Sequence, residues 1–207
     1  MRAPALRTVL PQDRGREEKY PVGTKRLFIG TFIDYAIFSE TYELLKKHFS
    51  SVLSGKWEKP ENLHITYKFL GDVSEDDLPA VKEALAGALG RREKIVMTPA
   101  GLGYFDQKNP RILYLKMHEP SGALEDVQLA IDDALEPLGF PKETRKFTPH
   151  VTLMRIKSVS RDDFYEAVAR HGNFRLAGQK GVTVDLIEST LTPQGSIYKK
   201  IQAQNCL

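Results

Sequence analysis

The 207-residue sequence has a single cysteine, Cys206, one residue from its end, so no disulfide forms within the chain. That cysteine is also misplaced for a prenylation box, which needs it fourth from the C-terminus. No apolar run approaches the roughly 20 residues of a membrane span. The first residues carry charge but no continuous apolar stretch, so they do not read as a secretory signal. A soluble chain in a reducing, cytoplasmic setting is expected. Charge of one sign is equally scarce. Of 30 basic and 27 acidic residues, residues 1–25 hold six basic and three acidic, which leaves 24 of each in the remainder. A globally basic nucleic-acid surface is not supported, although local patches stand at Lys142, Arg145 and Lys146 and at Lys199-Lys200. The phosphate-loop pattern GxxxxGK[ST], the dinucleotide pattern GxGxxG and the hydrolase elbow GxSxG are all missing.

What is present is a pair. His64-Ile65-Thr66 and His150-Val151-Thr152 carry the same local code, 86 residues apart. In an extended strand side chains alternate faces, so each histidine shares a face with its threonine. Two such strands supply a proton donor, a proton acceptor and two hydroxyls able to hold an oxyanion. The likeness is longer than the tripeptides. Val73-Ser74-Glu75-Asp76-Asp77 aligns with Val159-Ser160-Arg161-Asp162-Asp163 at the same shift, and Arg26-Leu27-Phe28-Ile29 with Arg111-Ile112-Leu113-Tyr114 at a shift of 85. An internal duplication in two copies implies a pseudo-symmetric, two-lobed domain.

Residues 1–24, rich in Arg and Pro, read as a flexible basic tail, with the folded domain at 25–207. Its first half is expected at about 25–98 and its second at about 110–192, with a terminal strand completing the fold. A strand from Arg26 to Ile33 precedes a helix over about 36–53 that Gly55 ends; a strand over 63–70 and a Ser74-capped helix over 75–90 follow. Strands at 94–98, 101–105 and 111–117, a helix over 121–138, the second His strand at 149–156, a helix from Ser160 to Arg170 and strands at 181–192 and 196–203 complete the reading. The fold class is α+β, with antiparallel sheets lining a central cleft and helices outside.

One histidine on a strand is usually structural; two His-x-Thr units inside a duplication point to paired acid–base work. Zinc or iron needs three or four protein ligands, and neither strand has HExxH, CxxC or HxD. His48 and His171 fall on helices, and His118 at a strand end, so no metal and no cofactor is expected. Leu63, Ile65, Tyr67 and Phe69 are read as the apolar face of the first strand, with Lys68 on the His face.

These features together resemble the 2H phosphoesterases, specifically the bacterial and archaeal RNA 2′,3′-cyclic phosphodiesterases, also called 2′-5′ RNA ligases. The first motif is the run from Trp57 through His64 and Thr66 to Gly71, and the second runs from Phe147 through His150 and Thr152 to Arg155. Gly101 to Phe105, Pro110 to Leu115, Ser189 to Leu191 and Gly195 to Tyr198 also fit, whereas Asp106 and Tyr114 stand where proline and tryptophan are usual. The resemblance implies a monomeric enzyme that opens 2′,3′-cyclic phosphate ends of RNA. It makes His64 the proton donor to the 3′ oxygen and His150 the acceptor that activates water, a choice the sequence symmetry leaves open. It places Thr66, Thr152 and Arg155 on the phosphate. Strict alternation puts Arg155 on the face opposite His150, so that role requires a bulge. The alternatives are 2′-5′ ligation by the reverse attack and a non-catalytic nucleotide- or RNA-binding module.

Overall fold

The computed structural model describes residues 23–89, 95–173 and 178–206. Most of the expected tail, residues 1–22, lies outside the described residues, as does the expected start of a strand at 94.

The chain runs β1 (Thr24–Phe32), α1 (Ser39–Phe49), β2 (Leu53–Trp57), β3 (His64–Ser74), α2 (Leu78–Ala88), β4 (Val96–Phe105), β5 (Ile112–His118), α3 (Ala123–Leu135), β6 (His150–Val159), α4 (Arg161–Arg170), β7 (Gln179–Lys180), β8 (Val182–Thr192) and β9 (Gly195–Cys206). The described strand pairs are antiparallel. One sheet has the order β3-β1-β8-β9 and the other β2-β6-β5-β4-β7. Among the described residues no helix is long and apolar enough to cross a membrane.

The helices are exchanged between the halves. α1 leaves the first sheet but packs with α4 on the second; α3 leaves the second sheet but packs with α2 against the first. Each helix buries its apolar stripe: Tyr42, Leu45 and Phe49 from α1, Val81 and Leu85 from α2, Leu124, Val127, Ile131 and Leu135 from α3. Burying such side chains is worth about 1.5–3 kcal/mol each. The exchange makes each lobe's core depend on chain from both halves, and it carries residues 53–58 to the second sheet.

That crossing corrects the sequence reading. The first helix ends at Phe49; a turn replaces residues 50–52 of the expected helix, and β2 begins at Leu53. Gly55 is not a helix stop. It lies in β2 against β6, where a Cβ would collide with the Arg155 carbonyl oxygen. The alternation in Leu-Ser-Gly-Lys-Trp is too short and polar to announce a strand; β6 supplies its partner. β4 is one strand with an irregularity between Pro99 and Leu102, not two. Ser74 does not cap α2, whose N-cap is Asp77; its hydroxyl instead accepts from Asp76 N one turn earlier.

Candidate active site

β3 and β6 carry the two motifs, and each histidine is fastened by the same local device. The Asn62 carbonyl accepts from His64 Nδ1 at 2.5 Å, and the Thr148 carbonyl accepts from His150 Nδ1 at 2.8 Å. A carbonyl can only accept, so both rings carry their proton on Nδ1 when neutral, which leaves Nε2 as the free acceptor. This tether, from the residue two positions upstream, follows from the extended approach to each strand. The sequence hint was Pro149, which favours extended backbone at Thr148.

Aromatic walls enclose both rings. His64 lies 4.8 Å from Phe28, 5.0 Å from Tyr198 and 6.1 Å from Phe32, between ring centroids. His150 lies 4.9 Å from Phe105 and 5.2 Å from Tyr114, which stack on each other at 4.4 Å. Gly103 makes room, since a Cβ there would strike the Tyr114 ring. Sequence reasoning did not place these five aromatics at the site. The signal lay in the ladder: Phe32 pairs with His64 and Tyr114 with Thr152.

Desolvation by these walls disfavours charge. His64 is pushed down from 6.5 to about 4, chiefly by burial, with the Asn62 carbonyl opposing and the charges of His150 and Arg155 adding. His150 is also lowered by burial, opposed by the Thr148 carbonyl. The charges of His150 and Arg155 thus reach His64, and the strands that carry them, β3 and β6, pack against each other.

Both strands bulge just past the threonine. In β3 the ladder jumps from Gly30↔Thr66 to Ile29↔Lys68, and in β6 from Tyr114↔Thr152 to Leu113↔Met154. The bulge required for Arg155 thus exists: it puts Arg155 on the His150 face, where its Nε lies 3.4 Å from Glu58 Oε1. The same shift overturns two expectations in β3. Phe69 turns onto the His64 face beside Phe28, 69% exposed, and does not join the apolar core. Lys68 turns away from the cleft and is buried. Its Nζ donates to Asp132 Oδ1 and, at 2.6 Å, to the Pro141 carbonyl. Asp132 Oδ2 accepts from Gln128 Nε2 and from Glu143 N. That network holds the segment leading to His150 against the strand carrying His64. Tyr67 adds a stacked contact with Phe147 at 5.8 Å.

The register also corrects the repeat. Phe32↔His64 corresponds to Lys116↔His150 and Gly30↔Thr66 to Tyr114↔Thr152, an offset of 84 between β1 and β5. The sequence alignment used 85, and an odd slip would put every side chain on the wrong face. Among the described residues no group of three or more His, Cys, Asp or Glu is arranged to hold a metal ion.

Comparison with known proteins fits this architecture. A family model described as LigT like Phosphoesterase matches residues 36–114 and again 115–198. The RNA 2′,3′-cyclic phosphodiesterase of Aquifex aeolicus is 32% identical over 179 residues, spanning 86% of this chain and 95% of that protein. The protein of the same name from Methanothermobacter thermautotrophicus is 29% identical over 181 residues, spanning 86% and 96%. The crystal structure of E. coli LigT complexed with 3′-AMP superposes with a TM-score of 0.70 at 21% identity, covering 88% of this chain and 98% of that one, a likeness of fold. With that family model matching the chain twice, over residues 36–114 and 115–198, this chain belongs to the LigT-like phosphoesterases.

Proposed function

We propose that the protein hydrolyses 2′,3′-cyclic phosphodiester ends of RNA to 2′-phosphomonoesters, with His64 as proton donor and His150 as proton acceptor. The observation that carries this reading is the pair of Nδ1-tethered rings on β3 and β6, strands that pack against each other, each ring with Nε2 left as its free acceptor. In-line opening needs this arrangement. His150 takes a proton from water, the water oxygen attacks phosphorus, and the P–O3′ bond breaks as His64 protonates the leaving oxygen. Thr66 and Thr152 hydroxyls donate to the non-bridging oxygens, worth ~1–4 kcal/mol each in the transition state.

Burial keeps both rings neutral in the free protein near pH 7. The proton that His64 delivers is therefore acquired with the substrate, whose phosphate charge favours imidazolium. Arg155 adds a guanidinium at the rim and Phe69 an exposed ring face able to stack on a base.

The test is turnover of a 2′,3′-cyclic mononucleotide with identification of the product isomer. A 2′-phosphate is expected. A 3′-phosphate would reverse the two histidine roles, and binding without turnover would favour a non-catalytic module.

A further inference from the structure

Beside the histidine cleft lies a hollow of about 180 Å³, walled by the β2–β3 connection, by β6 and by the tip of the β8–β9 hairpin. Its charged lining is Lys56, Lys59, Arg155 and Glu58, an excess of two positive charges. Two bonds tie the hairpin across it: Lys56 Nζ donates to the Gln194 carbonyl at 2.6 Å and Asn62 Nδ2 to the Ser196 carbonyl at 2.9 Å. Gly195, at φ +123, passes so close that a Cβ would lie 2.5 Å from Lys56 Nζ.

Two residues belong to hollow and cleft alike. Asn62 lines the hollow while its carbonyl tethers His64, and Arg155 lines it while its charge lowers the His64 pKa. The hollow therefore adjoins His64 through Asn62. Its cations are also under-compensated. Lys56 and Arg155 stand directly opposite each other in the β2–β6 ladder, a pairing of like charges that costs stability. Glu58 pairs with Arg155, Lys56 has only a carbonyl, and Lys59 forms no ion pair among the described residues. Such an arrangement is suited to an anion arriving from outside.

We propose that this hollow binds the internal phosphodiester preceding the terminal cyclic nucleotide, the substrate's own chain one step toward its 5′ side. The inference rests on the hydrolytic reading above. A cyclic phosphate closes the 3′ end, so the chain leaves the site in one direction only, and its next charged group is that phosphodiester. A groove of cations that follows the backbone beyond the reacting atoms is how single strands are held irrespective of sequence.

Steady-state kinetics with three probes test this: a 2′,3′-cyclic mononucleotide lacking a 5′-phosphate, a dinucleotide ending in the cyclic phosphate, and that dinucleotide with an uncharged methylphosphonate linkage. The charged dinucleotide should show a KM about tenfold below both others, the equivalent of one charge-assisted hydrogen bond. In Lys59→Ala, and separately in Lys56→Gln, the ratio of kcat/KM between charged dinucleotide and mononucleotide should fall toward one. Among the described residues Lys59 makes no side-chain bond across the hollow, so its variant reads the charge even if Lys56→Gln loosens the hairpin. Equal KM values for charged and methylphosphonate dinucleotides would overturn the proposal, as would a ratio untouched by Lys59→Ala. Calorimetric binding of a dinucleotide bearing a terminal 2′-phosphate, wild type against Lys59→Ala, separates the two readings. If turnover is absent but Lys59→Ala weakens that binding about tenfold, the hydrolytic reading fails and the hollow stands.

Discussion

Laid over each other at the offset of 86, β3 and β6 agree in backbone and diverge in side chains. His64 matches His150 and Thr66 matches Thr152; the bulged Tyr67 matches Leu153. Beyond the bulge the halves part: Lys68 stands where the second half has Met154, and Phe69 where it has Arg155. The segment before each motif differs as well. In the first half it forms β2, which pairs with β6 through a regular ladder. In the second half the corresponding stretch, about 139–149, forms no strand and is held to β3 by the Lys68 bond to the Pro141 carbonyl and by the Phe147 stack on Tyr67. The shared features are those that aim an imidazole and a hydroxyl. The divergent ones set what surrounds them, so the duplication repeats the His-x-Thr placement and gives each copy different neighbours.

The largest effect should come from breaking the symmetry at its centre. His64→Ala and His150→Ala should each lower kcat by about 10²–10⁴ with the fold retained by circular dichroism. The double variant should be little worse than either single one, because donor and acceptor act as a unit. Additive losses would mean that the two rings work independently.

Lys68 against Met154 is the next comparison. Lys68→Met leaves Asp132 charged and buried, and should cost about 3–5 kcal/mol in denaturant unfolding. Lys68→Met with Asp132→Asn copies the apolar solution of the other half while keeping an acceptor for Gln128 and Glu143 N; most of the loss should return. If the double variant were as unstable as the single, the ion pair itself and not the orphaned charge would be what holds the segment.

Phe69 against Arg155 should give smaller, separable losses. Phe69→Ala removes a stacking surface worth about 1–3 kcal/mol per base, and its cost should vary with the base of the cyclic nucleotide. Arg155→Ala should weaken substrates of every base alike and reduce the salt dependence of KM. Base-independent loss at Phe69 would return it to a structural role.

How much of this was legible in the sequence follows from the same asymmetry. The paired motifs, the duplication and the antiparallel α+β class were readable because identical local codes impose identical backbone. The face of Phe69 and the burial of Lys68 were not, because a bulge is a ladder property that needs the partner strand to reveal it. β2 was missed for a related reason: Leu-Ser-Gly-Lys-Trp is a strand only because the exchanged helix delivers it to the edge of β6. Arg155 shows the converse. Requiring a phosphate contact there implied a bulge, and the ladder has one at Leu153.

The smallest expected effect lies in pH, and it sharpens the contrast between the rings most finely. Burial lowers His64 to about 4 and also lowers His150 from 6.5. In the free protein a singly protonated pair, with its proton on either ring, then builds up only on the acid side of 6.5, so kcat/KM should begin to fall below that pH on its basic limb. In the complex the phosphate favours imidazolium, which should carry the kcat optimum to higher pH than that of kcat/KM. The limbs belong to the coupled pair, and each histidine variant should flatten one of them. Stability follows with the opposite sign to a salt-bridged histidine. Because the folded pKa lies below the unfolded value, the unfolded chain binds more protons between about 4 and 6.5. The contribution of neutral burial is complete above 6.5 and is lost as pH falls toward 4. Denaturant midpoints at pH 7 and pH 5 should show a drop that shrinks in His64→Gln. A kcat/KM optimum at or above that of kcat would mean that the walls of Phe28, Phe32 and Tyr198 do not control the charge of His64.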